Sequence, residues 1–480
     1  MFADKHVTRC PLALSRRTFL RGLGGSALAM KMGLFDFASS LLGAAPQPPG
    51  TCRIMGAFAR PDVDRYWLGW PGTAYDIKGH QEMYTKVMTL AAERLGVTLD
   101  LLQTPLFDEK SVNAYLEKVA ETKPDGVLLT CMALHPDGWR ATNQFLDKRG
   151  SVPTVVFSPM GTSFTGHLQH SRKSNNAFVG ATQDVEWLAM AVRMLKTVWE
   201  MKQTRICIVR GNKTEDRLLD VIGTTLHYIP GKRFLDEFEK VEASDEVRAI
   251  ADYYTKEAKK IVEPSKDDIL TAAKNYIVCR RLMETEKCHG FSMDCLGPIG
   301  RREIKPPCLA FMRLRDEGIV GACEADPNAC ISSRLTHLLF ERPGFMQDPA
   351  PNTVNNTLMA AHCTCGAHLD GFDKPHEPFI LRSHSESDLG VAIQVLWRVG
   401  QKITLMKFQG PQKIILGTGS VLRNIDTPPS GGCRTSLECT VDGVADSRDV
   451  KGFHQLLIYG DLEDEFKAYC QLAGIGVEHI

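Results

Sequence analysis

Gly318-Ile319-Val320-Gly321-Ala322-Cys323-Glu324-Ala325-Asp326 opens a stretch, residues 318–363, around which the rest of the chain can be organised. An amphipathic run to Glu341 follows, then Phe345-Met346-Gln347-Asp348-Pro349, and finally Leu358-Met359-Ala360-Ala361-His362-Cys363. Two short apolar segments end in acids or a histidine, and between them Ile331, Leu335, Leu338 and Leu339 repeat at helical spacing. The layout predicts Glu324, Asp326 and His362 at the ends of adjacent strands. Carboxylate oxygens and imidazole nitrogens suit divalent Mn, Co or Zn, and Mg where oxygens dominate. On spacing alone, a solvated loop acid and a satisfied core histidine stay open as alternatives.

With 480 residues, 43% of them hydrophobic, the chain has material for two to four domains. No unbroken apolar run reaches the ~18 residues that span a membrane, so stable membrane insertion is not expected. Formal net charge is zero and the sequence pI is about 7.2, which gives no basic surface for nucleic acid. A small-molecule or protein partner is expected instead, and a homo-oligomeric state stays open.

Ser15-Arg16-Arg17-Thr18-Phe19-Leu20 precedes a moderately apolar, Gly- and Ala-rich segment that ends near Gly43-Ala44-Ala45-Pro46. This looks like a twin-arginine export signal with small residues at a cleavage point, and it predicts a periplasmic protein exported already folded. A disordered basic leader is the alternative. Fifteen cysteines in an exported chain would ordinarily mean disulfides. Here Cys131, Cys207, Cys279, Cys295, Cys308 and Cys323 lie in apolar runs where a small buried hydrophobe is the common case, and no Cys-x-x-Cys pair marks a zinc ribbon. Cys363 and Cys365, beside His362, are read as soft metal ligands, core packing or a local redox pair.

Residues 52–59 read as a strand and 78–95 as a helix with Met83, Val87, Leu90, Ala91 and Leu95 on one face. Short apolar runs at 97–102, 125–132 and 153–158 read as buried parallel strands, with helical runs at 110–122 and 137–149 between them. Such alternation implies a doubly wound sheet. Gly56 stands alone before Arg60, so the glycine-rich dinucleotide turn is missing. Tyr66, Trp67 and Trp70 in the next loop either stack on a sugar ring or pack at a domain boundary. A second α/β unit begins with a helix at 184–202 and a strand at 205–210. Helices at 244–262 and 267–287 follow, broken at Pro264. The strand at 291–296 carries Asp294, which is either a third carboxylate or a loop cap. Beyond Pro375 the runs 391–399, 402–408, 413–417 and 456–459 read as a mostly antiparallel domain, with His454 just before its last strand and a closing helix bearing Phe466, Tyr469 and Leu472. His454 and His362 reach one cleft if this domain folds over the second.

Taken together, the strand with Asp294, the Pro307-Cys308-Leu309-Ala310 run with Asp316-Glu317-Gly318-Ile319, Cys323-Glu324-Ala325-Asp326, His362-Cys363, and His454 followed by Gly460-Asp461 resemble the L-fucose isomerase and L-arabinose isomerase superfamily. The resemblance covers nearly the whole mature chain. It implies an α/β protein with two Rossmann-like domains followed by a β-rich C-terminal domain: residues 1–48 signal and linker, 49–172 and 173–345 the α/β domains, 346–480 the β-rich domain. It further implies a divalent metal, usually manganese with Mg2+ or Co2+ as substitutes, held by Asp294, Asp326 and His454, with His362 close by. Two differences from the family are an aspartate at 294 in place of a longer glutamate, and Phe453 where relatives often carry a second histidine. The implied activity is metal-dependent aldose–ketose isomerisation of a small sugar through an enediol, with Asp294 and Asp326 as base and acid and Glu324 in support. A carbohydrate-binding protein that kept the cleft without the chemistry is the rival reading, because fold does not fix function.

Overall fold

Val127, Leu128, Leu129, Val155 and Val156 are completely shielded from solvent, and each full burial of a side chain this size contributes about 1.5–3 kcal/mol. Runs apolar on both faces belong in a parallel sheet covered by helices. A computed structural model, which describes residues 50–65, 75–169, 174–428 and 432–480, has that sheet. Strands β1 (Arg53–Ala59), β2 (Thr98–Leu106), β3 (Gly126–Cys131), β4 (Thr154–Pro159) and β5 (Ala177–Thr182) lie in the order β2-β1-β3-β4-β5, all parallel. Helices α1 (Ile77–Leu95), α2 (Glu109–Thr122) and α3 (Pro136–Lys148) fill the connections between the first four strands. Their starts are written locally: Asp76 accepts the Gly79 N–H at the head of α1, and Asp108 forms a capping box with Ser111 at the head of α2. Gly56 serves packing rather than phosphate binding, since a Cβ there would lie 2.6 Å from Leu101 Cδ1.

The buried stripe of α1 is not the expected one. Ile77, Gln81, Tyr84, Met88, Ala91 and Ala92 face inward, while Met83 and Leu90 are exposed. Hydrophobicity misplaced the face because Gln81 occupies it, accepting from Arg60 Nε at 2.7 Å and donating to the Gln103 carbonyl at 2.9 Å. The leader with Arg16 and Arg17, and Tyr66, Trp67 and Trp70, lie outside the described residues.

Helix α4 (Trp187–Gln203) leads into a second sheet built from β6 (Arg205–Val209), the hairpin β7 (Glu215–Leu219) and β8 (Thr224–Ile229), β10 (Gly290–Met293) and β11 (Val320–Cys323). Its order is β11-β10-β6-β8-β7, parallel except for the β7–β8 pair. That hairpin is a finding beyond the sequence reading. Helices α5 (Lys232–Phe238), α6 (Asp245–Glu257) and α7 (Lys266–Thr285) intervene. The expected helix over 244–262 stops at Glu257, because Lys260–Ile261 (β9) pairs with a strand more than a hundred residues later. Likewise the strand expected over 291–296 ends at Met293, and a short helix α8 (Leu296–Gly300) follows, then α9 (Cys308–Asp316).

After α10 (Pro327–Phe340) the chain turns to antiparallel pairing. Strands β12 (Phe345–Asn352), β13 (Thr357–His362), β16 (Lys402–Phe408), β17 (Lys413–Asn424), β18 (Thr435–Cys439) and β19 (Gln455–Tyr459) run in the order β16-β19-β12-β13-β18-β17, and β16 pairs back to β17. The six strands therefore close into a barrel, which removes its open edges. Strands β14 (Phe379–Arg382) and β15 (Ala392–Val395) sit with β9 in a small separate sheet, and β20 (Gly476–His479) extends β17 after the last helix, α11 (Glu463–Ala473). Phe466, Tyr469 and Leu472 of α11 are buried. The architecture is thus mixed α/β with two largely parallel sheets and a C-terminal six-stranded barrel. The described residues belong to one compact unit. No helix among the described residues is long and apolar enough to cross a membrane.

Candidate metal centre

Strand β11 ends on Cys323, and the chain then takes two consecutive left-handed steps, Glu324 at φ +58° and Ala325 at φ +50°. An L-residue in this region carries a cost of roughly 1–2 kcal/mol, so two in succession must be held by their surroundings. What holds them is the start of α10. Asp326 caps that helix, its Oδ1 accepting from Asn328 N at 2.8 Å and Ala329 N at 3.1 Å, and Pro327 occupies the first helical position. The turn projects Glu324 out of the second sheet toward the barrel.

The barrel answers with three residues on neighbouring strands. In β12, Gln347 is paired with Gln455 of β19 and Asp348 with Ala361 of β13. Asp348 on the middle strand therefore has His454, the residue before β19, on one side and His362, the last residue of β13, on the other. His454 is itself left-handed at φ +58°. The two imidazole rings stand 5.6 Å apart between centroids. Glu324 and His362 consequently end strands of two different sheets, correcting the expectation of adjacent strands. Helix α10 closes the gap: Ser332 Oγ accepts from Phe408 N at 2.9 Å and Asn328 Oδ1 from Gly410 N at 3.2 Å.

One ligand atom each from Glu324, His362 and His454 lie within 4.8 Å of one another. His454 Nε2 is 3.4 Å from Glu324 Oε2 and 3.2 Å from Asp348 Oδ1, and His362 Nε2 is 3.6 Å from Glu324 Oε1. Donors ~2.1 Å from a shared ion are separated by roughly 3.0–3.4 Å at tetrahedral or octahedral angles. The observed separations are close to that. Furthermore, His362 Nε2, His454 Nε2 and Asp348 Oδ1 are buried without a hydrogen-bond partner. The two imidazole nitrogens lie in one group with a Glu324 oxygen, with Asp348 Oδ1 beside His454, and orphaned buried polar atoms call for a ligand. A carboxylate and two imidazoles, with a second carboxylate alongside, fit a divalent transition metal. For His362 the bound state moves the ring proton from Nε2 to Nδ1, which gives up the hydrogen bond that Nδ1 accepts from the Cys363 N–H at 3.0 Å.

Asp326 stands behind His454 rather than among the ligand atoms. Its Oδ2 accepts from His454 Nδ1 at 3.0 Å and from Lys407 Nζ at 2.7 Å; Lys407 also donates to the Phe453 carbonyl. Burial alone would raise the Asp326 pKa, but the His454 and Lys407 contacts outweigh it and hold the carboxyl far below its usual range. Burial likewise opposes a charge on His454, yet its hydrogen bond to Asp326 and the nearby carboxylates of Asp348 and Glu324 lift its pKa to about 10. Burial depresses the His362 pKa, with Asp348 and Glu324 opposing.

Asp294 lies apart. It follows β10, half its side chain is exposed, and its nearest cation is Arg210 at 3.7 Å. It is not among the three residues of the ligand group. Sequence reasoning quoted Asp348 without giving it a role; pairing register, not local pattern, brings it between the two histidines. Phe453 is 57% exposed and its ring lies 4.1 Å from that of His454. All cysteines among the described residues are free thiols, including Cys363 and Cys365 next to this centre.

No family model matches the chain, and no curated protein matches it. Among solved structures, the crystal structure of a sugar ABC transporter sugar-binding protein from Bacillus halodurans is similar at 11% identity, covering 63% of this chain and 91% of that one, with a TM-score of 0.17. A score that low carries no argument about this chain.

Proposed function

We propose that this protein is a divalent-metal-dependent aldose–ketose isomerase-like enzyme acting on a small sugar, its two parallel sheets being the Rossmann-like domains of that architecture. The observation that carries the reading is the convergence of Glu324, His362 and His454 on one point, with two of their nitrogens buried and unpartnered. Two imidazoles favour manganese or cobalt over magnesium, which prefers oxygen donors.

When bound, the ion would polarise adjacent sugar oxygens and stabilise the charge of an enediolate. The chain's own residues supply the rest. Glu324, His362 and His454 would hold the ion. Asp348, with Oδ1 3.2 Å from His454 Nε2 and a third of its side chain exposed, would take a proton from a sugar carbon and return it to the neighbouring one. Asp326, whose pKa is driven down and whose oxygens are all engaged, is a positioning residue that fixes the His454 ring. Phe453 offers an exposed aromatic face beside the centre for the apolar side of a sugar ring. The Ser15-Arg16-Arg17 stretch supports a periplasmic setting.

Deuterium wash-in at C2 of a panel of aldoses, read by mass spectrometry with manganese-loaded protein, tests the reading. At least one sugar should exchange, and Asp348→Asn should slow that exchange by ~100-fold, about 2.7 kcal/mol of transition-state stabilisation. Absence of exchange on every sugar by folded, metal-loaded protein would overturn the isomerase and leave a carbohydrate-binding protein with the same centre.

A further inference from the structure

Where strands β3 and β4 of the first sheet begin lies a cavity of about 440 Å3 that shares no residue with the metal centre. It opens between the C-terminal ends of α2, α3 and α4. Leu116, Val119, Pro153 and the Trp199 indole give it apolar walls, and Lys123, Lys148 and Lys202 stand around it. Its volume is that of a small-molecule site.

The observation that points to a ligand is Arg149. This residue lines the cavity and is only 7% exposed. Its guanidinium donates to three carbonyls, Gly150 at 3.2 Å, Val152 at 2.6 Å and Asn175 at 2.6 Å, while Nε is buried with no partner. No carboxylate pairs with it among the described residues, and burial alone pulls its pKa down to about 10. Buried charges are ordinarily paired, so an arginine left without an anion beside three lysines is an unbalanced arrangement. Lys148 reaches Glu109 at 3.4 Å, but Lys123 and Lys202 make no ion pair among the described residues. The one acid on the wall, Asp125, already accepts the Arg53 N–H at 2.8 Å. Helix C-termini draw some positive charge, worth typically ~0.3–1 kcal/mol per group, which does not substitute for a counter-ion to a buried guanidinium.

We infer that this cavity binds a small organic oxyanion, a phosphate monoester or carboxylate on an apolar planar body, with the anion among Arg149, Lys123 and Lys202 and the body against Trp199. The site is separate from the metal centre and stands whether or not the chain is an isomerase.

Phenyl phosphate and benzoate are the probes, phenol the neutral control and inorganic phosphate the bodiless one, followed by calorimetry and by tryptophan fluorescence on the full chain. At least one aromatic anion should saturate below about 1 mM, with phenol and inorganic phosphate each at least about tenfold weaker. Lys123→Ala/Lys202→Ala alters exposed side chains and should weaken that anion by at least about tenfold while leaving manganese affinity unchanged. Arg149→Met should do the same, and the lysine pair decides the matter should that variant not fold. Lack of saturable binding by both aromatic anions up to about 10 mM, or equal affinity in the lysine variant, would overturn the inference. Equal binding of phenol would overturn the anion, and equal binding of inorganic phosphate the apolar body.

Discussion

Asp326→Asn separates the two jobs that one carboxylate does. The Oδ1 that caps α10 is retained by the amide oxygen, so the helix start should survive. Where Oδ2 stood there would be an NH2 group, facing the His454 Nδ1–H at 3.0 Å and the Lys407 ammonium at 2.7 Å. Donor would meet donor on both sides. Lys407 is 8% exposed at its side chain and would keep only the Phe453 carbonyl. Removing one partner of a buried pair typically costs about 3–5 kcal/mol, because the other charge remains buried. Loss of the carboxylate behind a ligating histidine typically weakens metal binding by about 10–100-fold, which is ~1.4–2.7 kcal/mol.

The two losses can be measured apart. Thermal unfolding of metal-free protein reads the first, and calorimetric titration with manganese reads the second. Adding Lys407→Met should recover much of the stability by removing the stranded ammonium, yet recover none of the metal affinity, since His454 still lacks its acceptor. A single variant that binds manganese as tightly as the parent would refute the assignment of Asp326 as the residue that orients His454. Recovery of metal affinity in the double variant would show that charge repulsion from Lys407, not orientation, had caused the loss.

Because a proton on His454, pKa about 10, must leave for Nε2 to take a metal, manganese affinity should rise by up to tenfold per pH unit between pH 6.5 and about 9; calorimetry in paired buffers would show one proton released, and a flat profile would contradict it. In metal-free protein the sign reverses: the raised pKa contributes stability fully present below the ordinary histidine value of ~6.5 and lost as pH climbs through about 10, so denaturant midpoints should fall over that window. Asp294→Asn should leave manganese affinity within about twofold, since the residue is half exposed and outside the ligand group; a ~100-fold loss would restore it as a ligand. Arg16→Lys with Arg17→Lys should leave the chain in the cytoplasm on cell fractionation, and unchanged export would count against a twin-arginine address.

Periodicity carries information about neighbours along the chain, and that part of the fold was legible. The runs 402–408 and 456–459 match β16 and β19 to within a residue, as does the helical run 110–122 with α2. What failed was set by distant partners. Nothing local marks residues 260–261 as strand; the Lys259 N–H bonds the Phe379 carbonyl and the Val262 N–H the Leu381 carbonyl across more than a hundred residues. The face of α1 was misread for the same reason, because Gln81 is buried by virtue of Arg60 and Gln103. In the candidate site, Glu324, His362 and His454 were nameable from residue type. Their roles relative to Asp326, Asp348 and Asp294 were not, because a carboxylate becomes ligand, orienter or bystander by register and turn geometry that composition does not encode.

Backbone strain at the centre bears on this division of roles. Had the chain left β11 in an ordinary extended conformation, the side chains of 324 and 326 would share a direction, as alternate residues of a strand do. Two left-handed residues break that alternation, so that Asp326 turns back to cap α10 while Glu324 reaches the barrel. The third strained residue, His454, is pinned by a neighbouring carbonyl: Lys407 grips the Phe453 oxygen and Asp326 together. One lysine on β16 thus ties the turn after β11 to the turn before β19, and these two turns carry Glu324 and His454. A strained conformation is retained only where the surroundings over-determine it, and here those surroundings are the same contacts that set the ligand spacing. The second sheet and the barrel cannot shift against each other without breaking the Asp326–Lys407 pair, which makes the centre a feature of their junction rather than of either part alone.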